Sequence, residues 1–245
     1  MRVLVTRAEP AASRTAEYLQ ENSHEAVCFP LFELRDTGME IPPETPDGYI
    51  FTSANACEIL KLRGWSPPSP ETPAFCVGRK TAEAANALGF VSVFHAEGGG
   101  KTLASLIAQH YPAASVTLLY FTTHDRSFDM AGALIKDGIT VKHAEIYQVA
   151  ERHLEPGSLM KVIEKNMPHA VFTYSRRSSH VLARQIMLER VEERLNSITL
   201  VAISENAASP LRGLSWNETL VTPVANEEAM LHILGRCQAA GQAGP

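Results

Sequence analysis

The feature of this sequence that most constrains its fold is the alternation, from end to end, of short apolar runs with segments of helical periodicity. The runs are rich in β-branched and aromatic side chains and are bounded by turn residues. Near-continuous apolar strands that alternate with helices are typical of parallel sheets covered by helices. The sequence therefore predicts an α/β protein. The predicted strands are Val3–Thr6, Ala26–Phe29, Tyr49–Thr52, Ala74–Val77, Val91–Phe94, Val116–Phe121, Ala170–Thr173, Thr199–Ile203 and Thr219–Thr222.

These strands recur in the same order in the two halves of the chain. In each half three strands lead into helices, beginning at Val3, Gly48 and Phe75 in the first half and at Leu118, Ala170 and Leu200 in the second. A repeat of this kind indicates two similar α/β units. The alternative is that any α/β chain shows strand–helix units at a similar spacing, and the match in letters is too weak to exclude it.

Hydroxyl, amide and glycine residues follow six of the predicted strands, directly before a helix. The carboxyl ends of parallel strands meet at one edge of the sheet, where open α/β folds bind ligands. Free N–H groups at helix N-termini suit anionic oxygens, although serine, threonine and asparagine are also ordinary N-caps. Six such turns, with cations among them, favour a site for a polyanion. The turns are Thr6-Arg7, Thr52–Asn55, Gly78–Thr81, Thr122-Thr123, Thr173–Ser175 and Ser204–Asn206.

The composition and the termini exclude several classes of protein. With 45% hydrophobic residues and only 15 glycines and 15 prolines among 245 residues, the chain is neither disordered nor low-complexity. The 22 basic and 27 acidic residues give a net charge of −5, without the basic excess of a general nucleic-acid binder. Arg7 interrupts the first apolar run, so no signal-peptide core is expected, and the longest uncharged stretch, Thr102–Thr123, is too polar for a membrane span. We expect a cytoplasmic protein that binds neither nucleic acid nor membranes.

The four cysteines form no CxxC pair. Cys28, Cys57, Cys76 and Cys237 are therefore predicted to be small buried side chains in a reducing compartment, with neither a disulfide framework nor a zinc site.

Motifs that would specify a particular chemistry are incomplete or absent. Gly98–Thr102 follows a strand and precedes a helix, as a P-loop does, but the glycine that the motif requires five positions before Gly100 is His95. A helix cap is the expected role of Thr102. No dinucleotide fingerprint, clustered metal-ligand spacing or nucleophile elbow is found. An enzyme of this sequence is expected to lack a metal, a nucleotide and a covalent nucleophile, and to work by positioning a reactive substrate.

The segments at the strand ends resemble those of the uroporphyrinogen-III synthases, the cyclising enzymes of tetrapyrrole biosynthesis. Each segment alone is a weak signal, but together they follow the family's order from the first residue to about Ile203. The matching segments are Val3–Pro10, Phe51–Ala56, Val77–Ala82, Ala96–Gly99 and Glu145–Gln148.

The resemblance implies two similar parallel-sheet α/β domains joined by a two-stranded linker. The first domain would be discontinuous, made of residues 1–33 and 151–245, and the second would span residues 36–145. The linker strands would lie at about 29–35 and 146–150. The two halves of the sequence would then not be the two domains, because each half would send its first strand to the other domain.

The resemblance also implies a substrate and a reaction. The family's substrate is hydroxymethylbilane, a linear tetrapyrrole with eight carboxylates. In the family's reaction the terminal hydroxyl leaves as water and the substituted α-carbon of ring D attacks the resulting azafulvene. The spiro intermediate then fragments and recloses with ring D inverted, to give uroporphyrinogen III. No cofactor and no metal are required, and we expect the chain to be a monomer.

Candidate site residues follow from the resemblance position by position. Tyr147 matches the family tyrosine near the leaving hydroxyl and is the expected catalytic residue, with a cross-strand aromatic of the linker as the alternative. The expected substrate-binding residues are Arg7, Thr52, Ser53, Ala54, Gly78, Thr81, Ser175, Arg176 and Ser204. The chain departs from the family at Thr122–His124, where many relatives have glycine, and at Ser204–Asn206, where some have threonines, which puts side-chain contacts there in question.

Two other classes of protein share parts of this pattern. A two-lobed α/β protein that binds a small polyanion without catalysis is the main alternative, although periplasmic proteins of this kind carry a signal sequence. A response-regulator or flavodoxin-like module is the other, but its acidic pocket after the first strand is missing.

Overall fold

The protein consists of two compact units, each built around a five-stranded parallel sheet. The structure is a computed structural model that describes residues 1–112 and 115–242, with residues 236–242 described by their backbone alone. The first unit comprises residues 1–33 and the chain from residue 150 onward, and the second comprises Leu34–Val149. The predicted α/β class with parallel sheets is confirmed.

The sheet of the first unit has the strand order β12-β11-β10-β1-β2, and all its neighbours are parallel. Its strands are β1 (Arg2–Val5), β2 (Glu25–Cys28), β10 (Ala170–Thr173), β11 (Thr199–Ala202) and β12 (Glu218–Val221). Its helices are α1 (Ala11–Glu21), α6 (Ser158–Asn166), α7 (Arg176–Glu189), α8 (Glu205–Ala208) and α9 (Glu227–Gln242), with 3-10 turns at Glu192–Ser197 and Ser209–Leu211.

The sheet of the second unit has the order β6-β5-β4-β7-β8 and is also parallel throughout. Its strands are β4 (Gly48–Phe51), β5 (Ala74–Val77), β6 (Val93–Ala96), β7 (Val116–Thr122) and β8 (Ile139–Glu145). Its helices are α2 (Ala54–Leu62), α3 (Arg79–Ala87), α4 (Gly100–His110) and α5 (Met130–Leu134), followed by a 3-10 turn at Ile135–Asp137.

Two further strands, β3 (Phe32–Asp36) and β9 (Tyr147–Glu151), pair with each other in a two-stranded sheet. The chain passes from one unit to the other within these two strands.

The two large sheets share one strand order when β7 is aligned with β1. Read from β2, the first sheet runs β2-β1-β10-β11-β12, and read from β8, the second runs β8-β7-β4-β5-β6. The repeat seen in the sequence is therefore a repeat of sheet topology. In each copy of the repeat, the first strand lies in one unit and the other two strands lie in the other unit. The strand β1 therefore pairs with β10, which belongs to the second copy, and β7 pairs with β4, which belongs to the first.

Three strands, β3, β8 and β9, are absent from the nine apolar runs. The strand β8 is the clearest omission, because it lies at the edge of its sheet and exposes Thr140, Lys142 and His143. An edge strand needs apolar residues on one face only, so β8 lacks the continuous run that marks its neighbours.

The prediction of buried cysteines is correct for two of the four. Cys57 and Cys76 are buried in the second unit, whereas Cys28 is exposed at the end of β2, an edge strand. The side chain of Cys237 lies outside the described residues.

The core of each unit lies between its sheet and its helices. In the second unit, the rings of Tyr49, Phe51, Trp65, Phe90 and Phe121 pack with centroids 5.2–6.2 Å apart. Aromatic packing at such distances holds the strand ends in fixed positions. Within the described ranges, every helix is too short or too polar to cross a lipid bilayer.

Candidate functional site

At the carboxyl edge of the first sheet, three of the predicted turns lie side by side, because β11, β10 and β1 are neighbours. Ser204 follows β11, Ser175 follows β10 and Arg7 follows β1. The Ser175 Oγ accepts a hydrogen bond from the N–H of Ser178 at 3.1 Å, and the Ser204 Oγ accepts one from the N–H of Ala207 at 3.2 Å. Both serines are therefore N-caps, and each brings the first N–H groups of its helix to the edge.

Two arginines at this edge have partners within the unit. Arg176, the first residue of α7, is exposed, and its Nε donates to the Nε2 of His180 at 3.4 Å. The Nη1 of Arg7 donates to Glu227 Oε1 at 2.8 Å and to Thr15 Oγ1 at 3.3 Å. The Arg7 guanidinium therefore already holds a carboxylate of its own chain.

Glu227 is the centre of a small polar network around Arg7. Besides Arg7, the hydroxyls of Thr15 and Tyr174 donate to the same Glu227 oxygen, the latter at 3.2 Å. The Arg7 guanidinium also lies 4.2 Å from the centroid of the Tyr174 ring. Burial, with the Glu227 carboxylate as the next cause, raises the pKa of Tyr174. The network joins the start of α9 to α1 and to the ends of β1 and β10.

The carboxyl edge of the second sheet brings together the turns after β5, β4 and β7, which are also neighbours. Ser53 is the N-cap of α2, and its Oγ accepts the N–H of Asn55 at 3.2 Å. Ala54 is the first residue of that helix. The Thr52 Oγ1 lies 2.6 Å from the phenolic oxygen of Tyr120, at hydrogen-bond distance.

Gly78 and Thr81 belong to the next turn. Gly78 is the N-cap of α3 with φ +73°, a conformation that favours glycine. A Cβ at this position would meet nothing closer than a Glu97 carboxylate oxygen at 3.9 Å, so backbone conformation rather than space requires the glycine. Thr81 is buried within α3.

A cavity of about 250 Å³ opens at this edge. Its lining residues come from the carboxyl ends of β5 and β7, from the segments after β4 and β7, from the start of α4 and from β9, and all belong to the second unit. Whole-ligand pockets have volumes of about 300–1,000 Å³, so this cavity has room for part of a large ligand. The lining residues are Thr52, Val77, Gly99, Gly100, Tyr120, Thr122, Thr123, Asp125, Arg126, Ser127, Phe128 and Tyr147.

Tyr147 lines this cavity and is also part of the core of the second unit, with only 4% of its surface exposed. Burial is the main reason why its pKa is raised, and the nearby Tyr120 and Cys57 act in the same direction. A hydrogen bond with Ser53 lowers the pKa and so opposes this effect. The net result is a phenol that stays protonated at neutral pH.

The segment after β7 forms the second wall of the cavity. The Nη1 of Arg126 lies 2.5 Å from Glu145 Oε1 and donates to the Thr123 carbonyl at 3.3 Å. The Nδ1 of His124 lies 3.3 Å from the other Glu145 oxygen. Hydrogen bonds from Arg126, the largest cause, and from His124 lower the pKa of Glu145.

The start of α4 forms the third wall. Gly98 and Gly99 have φ +92° and +115°, and Gly99 is an N-cap without a side chain. The expected capping role of Thr102 is wrong, because its hydroxyl donates to the carbonyls of Glu97 at 2.6 Å and Gly99 at 2.8 Å and so braces the turn. The first N–H groups of α4 are left without capping side chains, an arrangement that attracts anions.

Comparison with models of protein families identifies the family to which this chain belongs. The chain matches the HEM4 model, described as uroporphyrinogen-III synthase HemD, over residues 13–232. The chain belongs to this uroporphyrinogen-III synthase family. No curated protein sequence gives a significant match.

The solved structure of another protein has the same fold as this chain. The uroporphyrinogen-III synthetase of Helicobacter pylori 26695 aligns with a TM-score of 0.61 at 18% identity, over 97% of this chain and 100% of that one. A mutant uroporphyrinogen III synthase of the extremely thermophilic bacterium Thermus thermophilus aligns with a TM-score of 0.48 at 16% identity, over 98% and 99% of the two chains.

Several residues that line these edges were not found from the sequence. Tyr120 and Arg126 line the cavity, and Glu227 holds Arg7, but none of them was expected there. The polar run Thr122–His124 at the end of β7, which the resemblance singled out as a departure, was the signal in the sequence that lay nearest to Arg126. Gly99 and Gly100 lie within the glycine run that fails as a P-loop, and they line the cavity without completing that motif.

A larger depression, of about 520 Å³, lies at the amino ends of β1, β10 and β11. Its arginines have partners, since Arg2 donates to the Met167 carbonyl at 3.3 Å and Arg194 to Glu164 at 3.2 Å. None of the expected site residues lines it, so we take the carboxyl edges as the candidate site. Within residues 1–112 and 115–242, no cluster of histidine, cysteine and acidic side chains could hold a metal ion.

The network around Glu227 predicts a structural effect. Replacing Glu227 with glutamine removes the charged acceptor shared by Arg7, Thr15 and Tyr174. We expect it to lower the free energy of unfolding of the first unit by about 1–2 kcal/mol. Urea unfolding followed by the fluorescence of Trp216, in a background without Trp65, measures this. Glu228→Gln, an exposed neighbour with the same charge change, is the control, and equal effects of both variants would contradict the role of Glu227.

Proposed function

We propose that this protein cyclises hydroxymethylbilane to uroporphyrinogen III, with loss of water and inversion of ring D, in haem biosynthesis. The observation that carries the proposal is the match of residues 13–232 to the uroporphyrinogen-III synthase family. The local chemistry of the two carboxyl edges is consistent with it, because the substrate is an elongated polycarboxylate and the edges offer hydrogen-bond donors.

The substrate is held mainly by uncharged donors. The capped helices behind Ser53, Ser175 and Ser204 present backbone N–H groups, and carboxylates are favourable ligands for such helix starts. The net charge of −5 offers no long-range attraction to a polyanion. Binding therefore depends on contacts formed after the substrate has reached the edge.

Tyr147 donates a hydrogen bond to the departing hydroxyl. The Ser53 oxygen accepts the N–H of Asn55, so its own proton is available for the oxygen of Tyr147. The phenolic proton is then left to point at a ligand in the cavity. Because burial raises the pKa of Tyr147, the phenol donates hydrogen bonds throughout the neutral range.

The steps that follow require orientation more than reactive groups. Once water has left, the azafulvene is electrophilic, and the substituted α-carbon of ring D attacks it to form the spiro intermediate. Fragmentation and reclosure with ring D inverted then give the product. Spontaneous closure would proceed without this inversion, so the protein must favour one geometry of a flexible chain.

The proposal is tested by incubating the protein with hydroxymethylbilane and separating the uroporphyrinogen isomers after oxidation. We expect the type III isomer as the main product. Type I alone, as without enzyme, would contradict the proposal. If the chain bound the substrate and released only type I, it would be a polyanion-binding protein without catalysis.

The role of Tyr147 predicts a loss of rate without a loss of fold. Tyr147→Phe removes the hydrogen-bond donor and keeps the ring in the core, so turnover should fall by up to about 100-fold, with an unchanged circular dichroism spectrum. The wild-type rate should show no loss from deprotonation of this phenol between about pH 7 and 9, because a raised pKa favours the protonated form. Tyr18→Phe, in α1, is the control. Equal rates for both variants would remove Tyr147 from the mechanism.

A further inference from the structure

The wall of the cavity formed by the segment after β7 contains a cation for which neither the resemblance nor the proposed mechanism has a role. Arg126 lines the same cavity as Tyr147, Tyr120 and Thr52. Its side chain is 30% exposed, so it is partly shielded from water and still accessible from the cavity.

The hydrogen bonds of Arg126 leave one edge of its guanidinium open. Both of its partners, the Glu145 carboxylate and the Thr123 carbonyl, are bonded to Nη1. In the described part of the chain, the Nε and Nη2 groups have no hydrogen-bond partner. These two parallel N–H groups form the fork that matches the two oxygens of a carboxylate.

The existing bonds of Arg126 also fix its orientation. Glu145 ends β8 and Thr123 follows β7, so two neighbouring strands anchor the guanidinium. An anchored side chain loses less conformational entropy when a ligand binds. The Glu145 carboxylate neutralises the positive charge of Arg126. The contribution of Arg126 to ligand binding therefore depends on geometry as well as on charge.

One group in the cavity opposes an anion. Asp125 is exposed and lines the cavity beside Arg126, and its carboxylate repels another carboxylate. The charge of Asp125 therefore provides a test of the ligand. Its removal should strengthen the binding of a carboxylate but not the binding of a neutral polar group.

We infer that Arg126 is a specificity-determining residue that binds one acetate or propionate carboxylate of the substrate through its Nε and Nη2 groups. This inference rests on the proposed function, since it assumes a polycarboxylate ligand at this edge. It assigns the cavity of the second unit to a single carboxylated pyrrole ring, with Tyr147 on the neighbouring wall.

The first test compares Arg126→Gln with wild type in two assays. Loss of the bidentate pair should raise the KM for hydroxymethylbilane, and the Kd for uroporphyrin III measured by porphyrin fluorescence, about 10- to 100-fold. The kcat should change by less than about threefold, because the interaction is the same in substrate and transition state. Lys61→Gln, an exposed cation at the far end of α2 with the same charge change, should change neither constant.

Two further variants keep the test decisive if Arg126→Gln folds poorly. Arg126→Lys keeps the charge but cannot form both hydrogen bonds, so it should still raise KM and Kd at least about fivefold. Asp125→Asn removes the opposing carboxylate and should lower the Kd for uroporphyrin III about two- to fivefold.

Each outcome supports or overturns the inference. If Arg126→Lys and Arg126→Gln match Lys61→Gln in KM and Kd, Arg126 binds no carboxylate, while the proposed function stands as long as wild type makes the type III isomer. A weaker affinity in Asp125→Asn would also contradict the assignment. If wild type neither makes the type III isomer nor binds uroporphyrin III, the proposed function and the inference both fail.

Discussion

The rest of this structure depends on one constraint, namely that helices begin directly after the carboxyl ends of parallel strands. Parallel neighbours cannot be joined by a hairpin, so each strand must be followed by a crossover, and all the crossovers leave from one edge of the sheet. That edge therefore collects the unpaired N–H groups of several helices. Ser53, Ser175 and Ser204 cap three of these helices, and the same geometry that satisfies the backbone creates a surface rich in hydrogen-bond donors.

Three of the arginines at the two edges have carboxylate partners. Arg7 is bonded to Glu227, Arg126 to Glu145, and Arg79 to Glu83. Paired cations add little net attraction for a distant polyanion. We propose that they orient a carboxylate of the substrate once it has arrived, and that Arg126 does so with one edge of its guanidinium. Recognition under the proposed function is thus local, which suits a reaction in which the substrate itself is reactive and its conformation decides the product.

The sequence predicted those parts of the fold and site that depend on neighbouring residues. Apolar strands such as β4 and β10 and the serines that follow them are local patterns, because a cap bonds to an N–H two or three residues away. The edge strand β8 was missed because Lys142 and His143 break its apolar run. Glu227 was missed because its partner Arg7 lies 220 residues away in the chain, and the open edge of Arg126 depends on Glu145, which only the pairing of β7 with β8 brings near.

The central claim of this account is that the substrate binds at the carboxyl edges. Titration of the ¹⁵N-labelled protein with uroporphyrin III, followed by amide chemical shifts, tests it without requiring turnover. The account predicts the largest changes at the helix starts beside Ser53, Gly78, Ser175 and Ser204. Changes confined to the amino ends of the strands, around His169, would contradict it.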